Sequence, residues 1–342
     1  MGNCPPSLES MGLKKFYQGK KIFLTGHTGF KGSWFQEYLL FLGAEVVGFS
    51  LPENINDLKL LKPVIKRVKP DLVFHLAAQA LVLDSYLDPL NTLQTNILGT
   101  ANLLEACRAV PSVKAIVVIT SDKCYLNQEW AWPYRESDHL GGHDPYSASK
   151  AGAEIVARAY YLSFLQMAQV GIATARAGNV IGGNDFAAHR LIPDIVRSLA
   201  NRETITLRHP QSIRPWQHVL DCIYGYLLLG QKLYLKPAKF SGSFNFGPHE
   251  TWTVEKLSRE FLQYFPKTKI KVLASNPHEA KLLKLDPSKA YELLSWQNEL
   301  TTKEAILWTA AWYQKYLLHK DLKQITQQQI ARYDQKKNIN FS

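Results

Sequence analysis

Cysteine is scarce. The 342 residues hold four, Cys4, Cys107, Cys124 and Cys222, and no two stand at a CxxC spacing or beside a histidine cluster. This excludes a disulfide framework and a thiolate metal site, and leaves free thiols of the kind expected in a reducing cytoplasm. No His, Cys, Asp or Glu grouping has the spacing of metal ligands, so no metal is expected. Long hydrophobic runs are missing, which excludes a membrane-spanning helix. The opening MGNCPPSLES has no basic stretch leading into an apolar one, so no signal peptide is expected. A myristoylation signal needs Ser or Thr at the sixth position, and Pro6 stands there. There is no internal repeat and no low-complexity linker.

Charge is not scarce. Forty Lys and Arg against 29 Asp and Glu give a net charge of +11. No helix-turn-helix, zinc finger or aromatic–basic platform accompanies it, so nucleic acid is not expected as a partner. The basic excess suits a soluble enzyme whose arginines face a phosphorylated substrate.

The chain alternates strand and helix patterns. KIFLT (21–25), EVVGFS (45–50), DLVFHLAA (71–78), KAIVVITS (114–121) and GIATARA (171–177) read as strands. Helical patterns run from the glycine-rich turn to Gly43, a C-cap, and over 90–108 and 146–165. This is the βαβ pattern of a parallel sheet. Beyond it, short strands (203–207, 242–247) mix with helices at 191–199, 221–233, 254–264 and 303–318. The stretch after His319 is polar and reads as a frayed tail. The expected division is an N-terminal extension (1–19), a dinucleotide-binding domain (20–178 with 205–246), a substrate lobe (179–204 with 247–320) and a tail (321–342).

Three motifs carry chemistry. In TGHTGFKG, Gly26, Gly29 and Gly32 lie between a strand and a helix. Gly26 permits a tight turn, Gly29 lets backbone approach a pyrophosphate, and Gly32 allows close helix–strand packing at an anion-attracting helix end. A structural turn is the plainer alternative, but the place after the first strand of a βαβ run favours dinucleotide binding. In YSASK, Tyr146 and Lys150 share one helix face. An ammonium beside a phenol favours the phenolate, which can then take a proton from a sugar hydroxyl. Ser121, Asp122 and Lys123 stand at a strand's C-terminal end, the edge that faces the ligand crevice in open α/β sheets. They offer a hydroxyl, an acid and a possible base, or else a plain polar loop.

In this order and spacing the motifs resemble the extended short-chain dehydrogenases, the NAD-dependent epimerase/dehydratase family. GHTGFKGSW, FHLAAQALV, TSDKCY, DPYSASK, RAGNVIGG, RLIPD, IRPWQHV, NFGP and PHEAKLLKLDPSKA, with Trp296 beyond, resemble its CDP-glucose 4,6-dehydratase branch over about residues 20–315. Most sugar-nucleotide dehydratases carry an acid where Lys123 stands, which marks that branch. The resemblance implies a Rossmann-type doubly wound sheet, NAD as cofactor and CDP-glucose as substrate. It implies oxidation at C4, elimination of water across C5–C6 and return of the hydride to C6, in deoxysugar and surface-polysaccharide synthesis. Tyr146 would deprotonate the 4-hydroxyl, and Lys150 would bind the nicotinamide ribose and tune Tyr146. Asp122 would protonate the leaving 6-hydroxyl, Lys123 would take the C5 proton and Ser121 would bind the 4-oxygen. Cofactor contacts are implied for Gly26, His27, Thr28, Gly29, Phe30, Lys31, Gly32, Ala77, Ala78 and Gln79; His27 and Lys31 stand either toward the adenosine end or at plain surface positions of the helix start. Substrate contacts are implied for Asn96, Asn179, Arg190 and Arg214, where guanidinium forks suit diphosphate oxygens. His218 and His278 lie in matching motifs and receive no chemistry. A homodimer through helices flanking Tyr146 is expected.

The chain departs from this pattern. Ser50 ends the second strand where an acid usually holds the NAD ribose. Leu83 stands where an arginine is usual, and Asn184-Asp185-Phe186 replaces a Gly-Asp-Trp pattern. Only Leu51, Pro52 and Glu53 separate the second strand from NIND (54–57), which resembles the segment ending the third strand. A parallel crossover needs a dozen or more residues, so the second helix and third strand are expected to be missing. Two alternatives therefore stay open: another nucleotide-sugar epimerase or dehydratase, and a catalytically silent nucleotide-binding protein.

Overall fold

The computed structural model describes residues 11–207, 209–266, 268–272 and 283–339. The strands are β1 (Lys21–Thr25), β2 (Glu45–Phe49), β3 (Leu72–His75), β4 (Ala115–Ile119), β5 (Gly171–Ala177), β6 (Asn179–Ile181), β7 (Ile205–Leu207), β8 (Ile213–Arg214), β9 (Trp216–His218), β10 (Gly242–Phe246), β11 (Trp252–Thr253) and β12 (Ile270–Val272). Six form one parallel sheet in the order β10-β5-β4-β3-β1-β2. β2 is its outer strand and pairs only with β1. No strand lies beyond it among the described residues, as the short 50–57 segment predicts.

Fourteen α-helices accompany the strands among the described residues. The first seven are α1 (Leu13–Tyr17), α2 (Phe30–Phe41), α3 (Leu58–Val68), α4 (Val82–Leu87), α5 (Pro89–Leu93), α6 (Gly99–Cys107) and α7 (Pro145–Tyr160). The rest are α8 (Leu191–Asn201), α9 (Val219–Leu235), α10 (Pro237–Phe240), α11 (Val254–Leu262), α12 (Ser288–Leu294), α13 (Thr302–Leu317) and α14 (Leu322–Ile339).

Alternating side chains send each strand into two cores, which makes the sheet doubly wound. Ile22, Leu24, Leu72, Phe74, Ala115 and Val117 face the layer of α2, α9 and α13. Phe23, Val73, Ile116, Val118 and Ile172 face the layer of α3, α6 and α7. Each such aliphatic side chain contributes on the order of 1.5–3 kcal/mol when fully buried.

Several expectations need correction. The helix α3 was not anticipated, because Pro63 and four basic residues interrupt its pattern. Asp57 caps it by accepting a hydrogen bond from the Leu60 amide at 3.0 Å, and Leu61 and Ile65 anchor it. The segment 205–218 does not join the large sheet. Its strands pair outside, β7 with β12, β8 with β11, and β9 with β6, so only α9 and β10 return to the main layer.

The described part of the polar stretch, 321–339, is not a frayed tail, since α14 docks along α2 and α13. Ile330 and Tyr333 are fully buried there. Tyr38 donates to Asp334 at 3.1 Å, Trp312 to Thr326 at 3.0 Å, and Gln329 to the Trp308 carbonyl at 2.9 Å. A helix with little apolar surface is thus held by specific hydrogen bonds. The N-terminal extension is also partly folded: α1 buries Leu13, Phe16 and Tyr17, and the Tyr17 hydroxyl donates to the Leu227 carbonyl at 2.7 Å. Cys4, Pro6, His278 and the 277–282 part of the PHEAKLLKLDPSKA stretch lie outside the described residues. Cys107, Cys124 and Cys222 are buried free thiols. Among the described residues, no helix is long and apolar enough to cross a membrane, and no cluster of three His, Cys, Asp or Glu could hold a metal.

Candidate active site

The site gathers at the C-terminal ends of the parallel strands. β1 runs into the glycine loop, where Gly26 has a left-handed φ of +71°. A Cβ there would stand 2.6 Å from the Ala77 nitrogen, and one at Gly32 would strike the Gly26 carbonyl. Both glycines are needed for this close approach. Thr25 joins the loop to the segment after β3, since its Oγ1 accepts from the Leu76 and Ala77 amides at 3.2 and 3.1 Å. The same oxygen lies 2.7 Å from His75 Nδ1, and burial drives the His75 pKa down to about 3.

No side chain caps α2 and no carboxylate stands in its first turn. Neither a capping side chain nor a first-turn carboxylate therefore competes for an anion at this helix start, and the loop fits a dinucleotide pyrophosphate. The Thr28 and Ser50 hydroxyls meet at 2.9 Å. His27 packs over β2, where a Cβ on Gly48 would touch its ring, and its Nδ1 is buried without a partner. A cavity of about 410 Å³ opens beside His27 and Thr28, walled by Trp34, Asn184, Trp312 and Lys323. It lies on the α14 side of the loop, away from Tyr146.

The catalytic candidates converge. Ser121 and Asp122 open a short turn after β4, with the Ser121 hydroxyl donating to Asp122 Oδ1 at 2.9 Å. Asp122 is buried, and burial raises its carboxyl pKa. Lys123, the Ser121 hydrogen bond, Arg214 and Lys31 act in the opposite direction. A carboxyl held toward its neutral form is suited to donate a proton. Asp144 caps α7 and Pro145 begins it, which fixes the entry angle of Tyr146.

The Ser121 side chain stands beside the Tyr146 hydroxyl. Burial pushes its pKa up to about 12, while Ser121 and Arg190 pull the other way. Lys150 Nζ lies 5.9 Å from the Tyr146 ring centre and 3.5 Å from the Ile119 carbonyl. Its pKa falls to about 8, first through burial and then through Lys31. The strongest counterweights to Tyr146 burial are thus Ser121 and Arg190, where the motif alone pointed to Lys150.

Other expected residues divide. Lys31 is charge-coupled to the catalytic turn: its ammonium acts on Asp122 and Lys150 and feels Arg190 and Asp185. Arg190 pairs with Asp185 at 3.1 Å and remains partly exposed, whereas Arg214 is buried and donates to the Ile213 carbonyl at 2.9 Å. Asn179 is half-buried at the start of β6, one residue after β5 and Gly178.

Asn96 is a different case. Its Oδ1 accepts from the Gln79 amide at 2.9 Å, and its Nδ2 donates to the Gln79 carbonyl at 3.0 Å and to Ser149 at 2.7 Å. Its amide is taken up by the protein, so it positions the Gln79 loop against α7 instead of facing a substrate. The Gln79 side chain is likewise closed on Leu81. His218 is a core residue between Trp34 and Trp308, with Nδ1 capping α9 at 3.3 Å.

A glycine turn after β1, a Tyr-Lys pair on α7 and a polar turn after β4, on this parallel sheet, define an α/β protein of the short-chain dehydrogenase type. The chain belongs to the GDP-mannose 4,6-dehydratase family, whose model matches residues 50–308. It is 43% identical to the CDP-glucose 4,6-dehydratase of Salmonella typhimurium, across 94% of this chain and 98% of that protein. The dTDP-D-glucose 4,6-dehydratase of Dictyostelium discoideum is 28% identical over 62% of this chain and 56% of its own length. Among solved structures, DesIV from Streptomyces venezuelae, a dTDP-glucose 4,6-dehydratase with NAD and TYD bound, superposes with a TM-score of 0.76 at 22% identity. That match covers 89% of this chain and 99% of DesIV. UDP-glucose 4-epimerase from Thermotoga maritima gives 0.75 at 22% identity over 87% of this chain and 99% of its own.

Proposed function

We propose that this protein dehydrates CDP-glucose to CDP-4-keto-6-deoxyglucose with NAD as its cofactor. The observation that carries the reading is a buried carboxyl biased toward neutrality, Asp122, hydrogen-bonded to Ser121 and gathered with Tyr146 at the C-terminal end of β4. It is supported by 43% identity to a CDP-glucose 4,6-dehydratase over nearly the whole chain.

NAD, when bound, supplies the acceptor for the C4 hydride and gives it back at C6. Tyr146 removes the proton of the 4-hydroxyl, with Ser121 holding the 4-oxygen. The 4-keto group acidifies C5, and Lys123 takes that proton and returns it to C5 as the hydride reaches C6. Asp122 gives its proton to the departing 6-hydroxyl, which leaves as water. Burial excludes bulk water from Asp122 and Tyr146 and keeps the transfers local. Arg190, Arg214 and Asn179 hold the nucleotide diphosphate. In this reading, residues 20–178 and 219–246 carry the dinucleotide, and 179–218 and 247–320 carry the sugar nucleotide.

A homodimer is part of the proposal. Leu87, Leu90 and Leu98 beside α7, and Ile155 on it, are exposed apolar side chains on the helices that flank Tyr146. A cytoplasmic place and a role in supplying deoxysugars for surface polysaccharide complete it.

The test is incubation with CDP-, dTDP-, GDP- and UDP-sugars in the presence of NAD, with mass detection of water loss. Turnover confined to CDP-glucose is expected. NAD binding without turnover of any nucleotide sugar would refute the proposal and favour a silent binding protein.

A further inference from the structure

α7 carries a third polar residue on the face of Tyr146 and Lys150. Glu154 stands one helical turn beyond Lys150 and two beyond Tyr146. Its carboxylate is 3% exposed. It accepts from Thr120 Oγ1 at 2.5 Å, Thr174 Oγ1 at 2.6 Å, Arg176 Nη2 at 2.7 Å and Ser243 Oγ at 3.1 Å. Arg176, on β5, is 2% exposed. It also donates to the Tyr125 hydroxyl at 2.7 Å, to Ser243 Oγ at 2.9 Å and to the Glu136 carbonyl at 3.3 Å, and it stacks 4.8 Å over the Tyr125 ring. The Tyr125 hydroxyl in turn donates to Asn245 Oδ1 at 2.8 Å.

The placement of these partners is informative. Thr120 immediately precedes Ser121, and Tyr125 immediately follows Cys124. Both ends of the turn that presents Ser121, Asp122 and Lys123 are therefore tied to one ion pair. Desolvating two charges costs about as much as their attraction returns, so a buried pair of this kind contributes little net stability. What it does contribute is a fixed geometry.

We propose that Glu154 and Arg176 are positioning residues for the reaction, clamping the catalytic turn at both ends while Glu154 supplies the negative charge facing Lys150. This rests on the dehydratase reading. The groups that face Lys150 are Lys31 from α2, His75 from β3, Cys124 from the turn, and Tyr146 and Glu154 from α7. Burial and Lys31 lower its pKa, and Glu154 is the first of the groups that hold it up. Without that charge more of Lys150 becomes neutral at a given pH, and Tyr146 loses the ammonium beside it.

Two variants separate the roles. Glu154→Gln with Arg176→Gln neutralises the pair without leaving a lone buried charge. Thr120→Val releases one end of the turn and leaves every charge in place. Two readouts are needed. Competitive acetylation of the intact protein from neutral to alkaline pH, followed by peptide mass spectrometry, gives the Lys150 titration midpoint without substrate. Steady-state kinetics with CDP-glucose and NAD give kcat, KM and the alkaline limb. The double variant is expected to lower the Lys150 midpoint by about one pH unit, and the alkaline limb of kcat with it. Thr120→Val should leave the midpoint unchanged and reduce kcat about tenfold with little change in KM. An unmoved Lys150 midpoint in a folded double variant, or undiminished kcat in Thr120→Val, overturns the proposal. If the double variant does not fold, Thr120→Val decides alone. If the wild type turns over no nucleotide sugar, the functional reading fails, while the labelling result still decides whether Glu154 sets the charge of Lys150.

Discussion

Replacing Asp221 by asparagine should remove a pH dependence from the stability of this fold. Asp221 lies in the first turn of α9 with no exposed surface. Its Oδ1 accepts from the Glu299 amide at 2.7 Å and from the Tyr333 hydroxyl of α14 at 2.8 Å. Its Oδ2 makes no hydrogen bond of acceptable geometry, although the Asn298 amide lies near. Burial pushes its pKa from 3.8 up to about 6, against those hydrogen bonds and Lys337. A raised folded-state pKa means stability that is fully present below the unfolded value and lost as pH rises through the folded one. The difference corresponds to about 3 kcal/mol in all, of which about half disappears between pH 5 and pH 7. Asparagine keeps the Oδ1 acceptor and does not ionise. It also introduces an amide N–H in place of Oδ2, worth a penalty of about 1–3 kcal/mol if unpaired. That penalty is independent of pH, so the informative quantity is the change with pH of the difference between variant and wild type. Urea unfolding of both at pH 5, 6 and 7 measures it. The variant should gain about 1.5 kcal/mol relative to wild type across that range. A flat difference would mean that Asp221 ionises near its ordinary value in the folded protein and that its burial does not govern it.

Three further outcomes are expected. Tyr146→Phe should fold and bind NAD while losing about a hundred- to ten-thousand-fold in turnover, and near-normal activity would remove Tyr146 from the chemistry. Lys123→Met should allow oxidation at C4 but stall the loss of water, seen as a lasting rise in nicotinamide absorbance on mixing with CDP-glucose. A variant showing neither absorbance change nor cofactor binding would give Lys123 a different role. With β2 as the sheet edge, the adenosine side of the cleft lacks an outer helix–strand unit. Losing about 2.8 kcal/mol of contacts there weakens binding roughly a hundredfold, so the purified protein should carry little NAD. A segment grafted between Pro52 and Asn54 should raise retention, and full occupancy surviving dialysis would refute this.

The strands of the large sheet were legible because each is a short apolar run feeding two cores, and polar or glycine-rich turns bound them. The edge position of β2 was legible from spacing alone, since no crossover fits between Ser50 and Asn54. The helix α3 was hidden by Pro63, although Asp57 and the positions of Leu58, Leu61 and Ile65 carried a signal. α14 was hidden for a different reason: its attachment is by Thr326, Gln329, Tyr333 and Asp334, polar groups whose partners lie far away in the chain. At the site, Tyr146, Lys150, Ser121 and Asp122 were legible as motifs. The motif could not tell which way the Asn96 amide turns, nor that the Lys31 charge acts on Asp122 and Lys150. Glu154 offered one clue, the four-residue step from Tyr146 through Lys150, but its partner Arg176 sits on another strand.

α14 joins α2 through pairs separated by 296 and 290 residues, Tyr38 with Asp334 and Glu37 with Gln327. A stop codon falling between residues 316 and 322, just ahead of α14, would leave every signature residue of the family in the reading frame. It would nonetheless uncover the helix that begins at the glycine loop, and would take from Trp312, Tyr38 and Asp221 the groups they bond. A shortened gene copy with all its motifs intact would therefore encode a protein whose nucleotide-binding half had lost its cover.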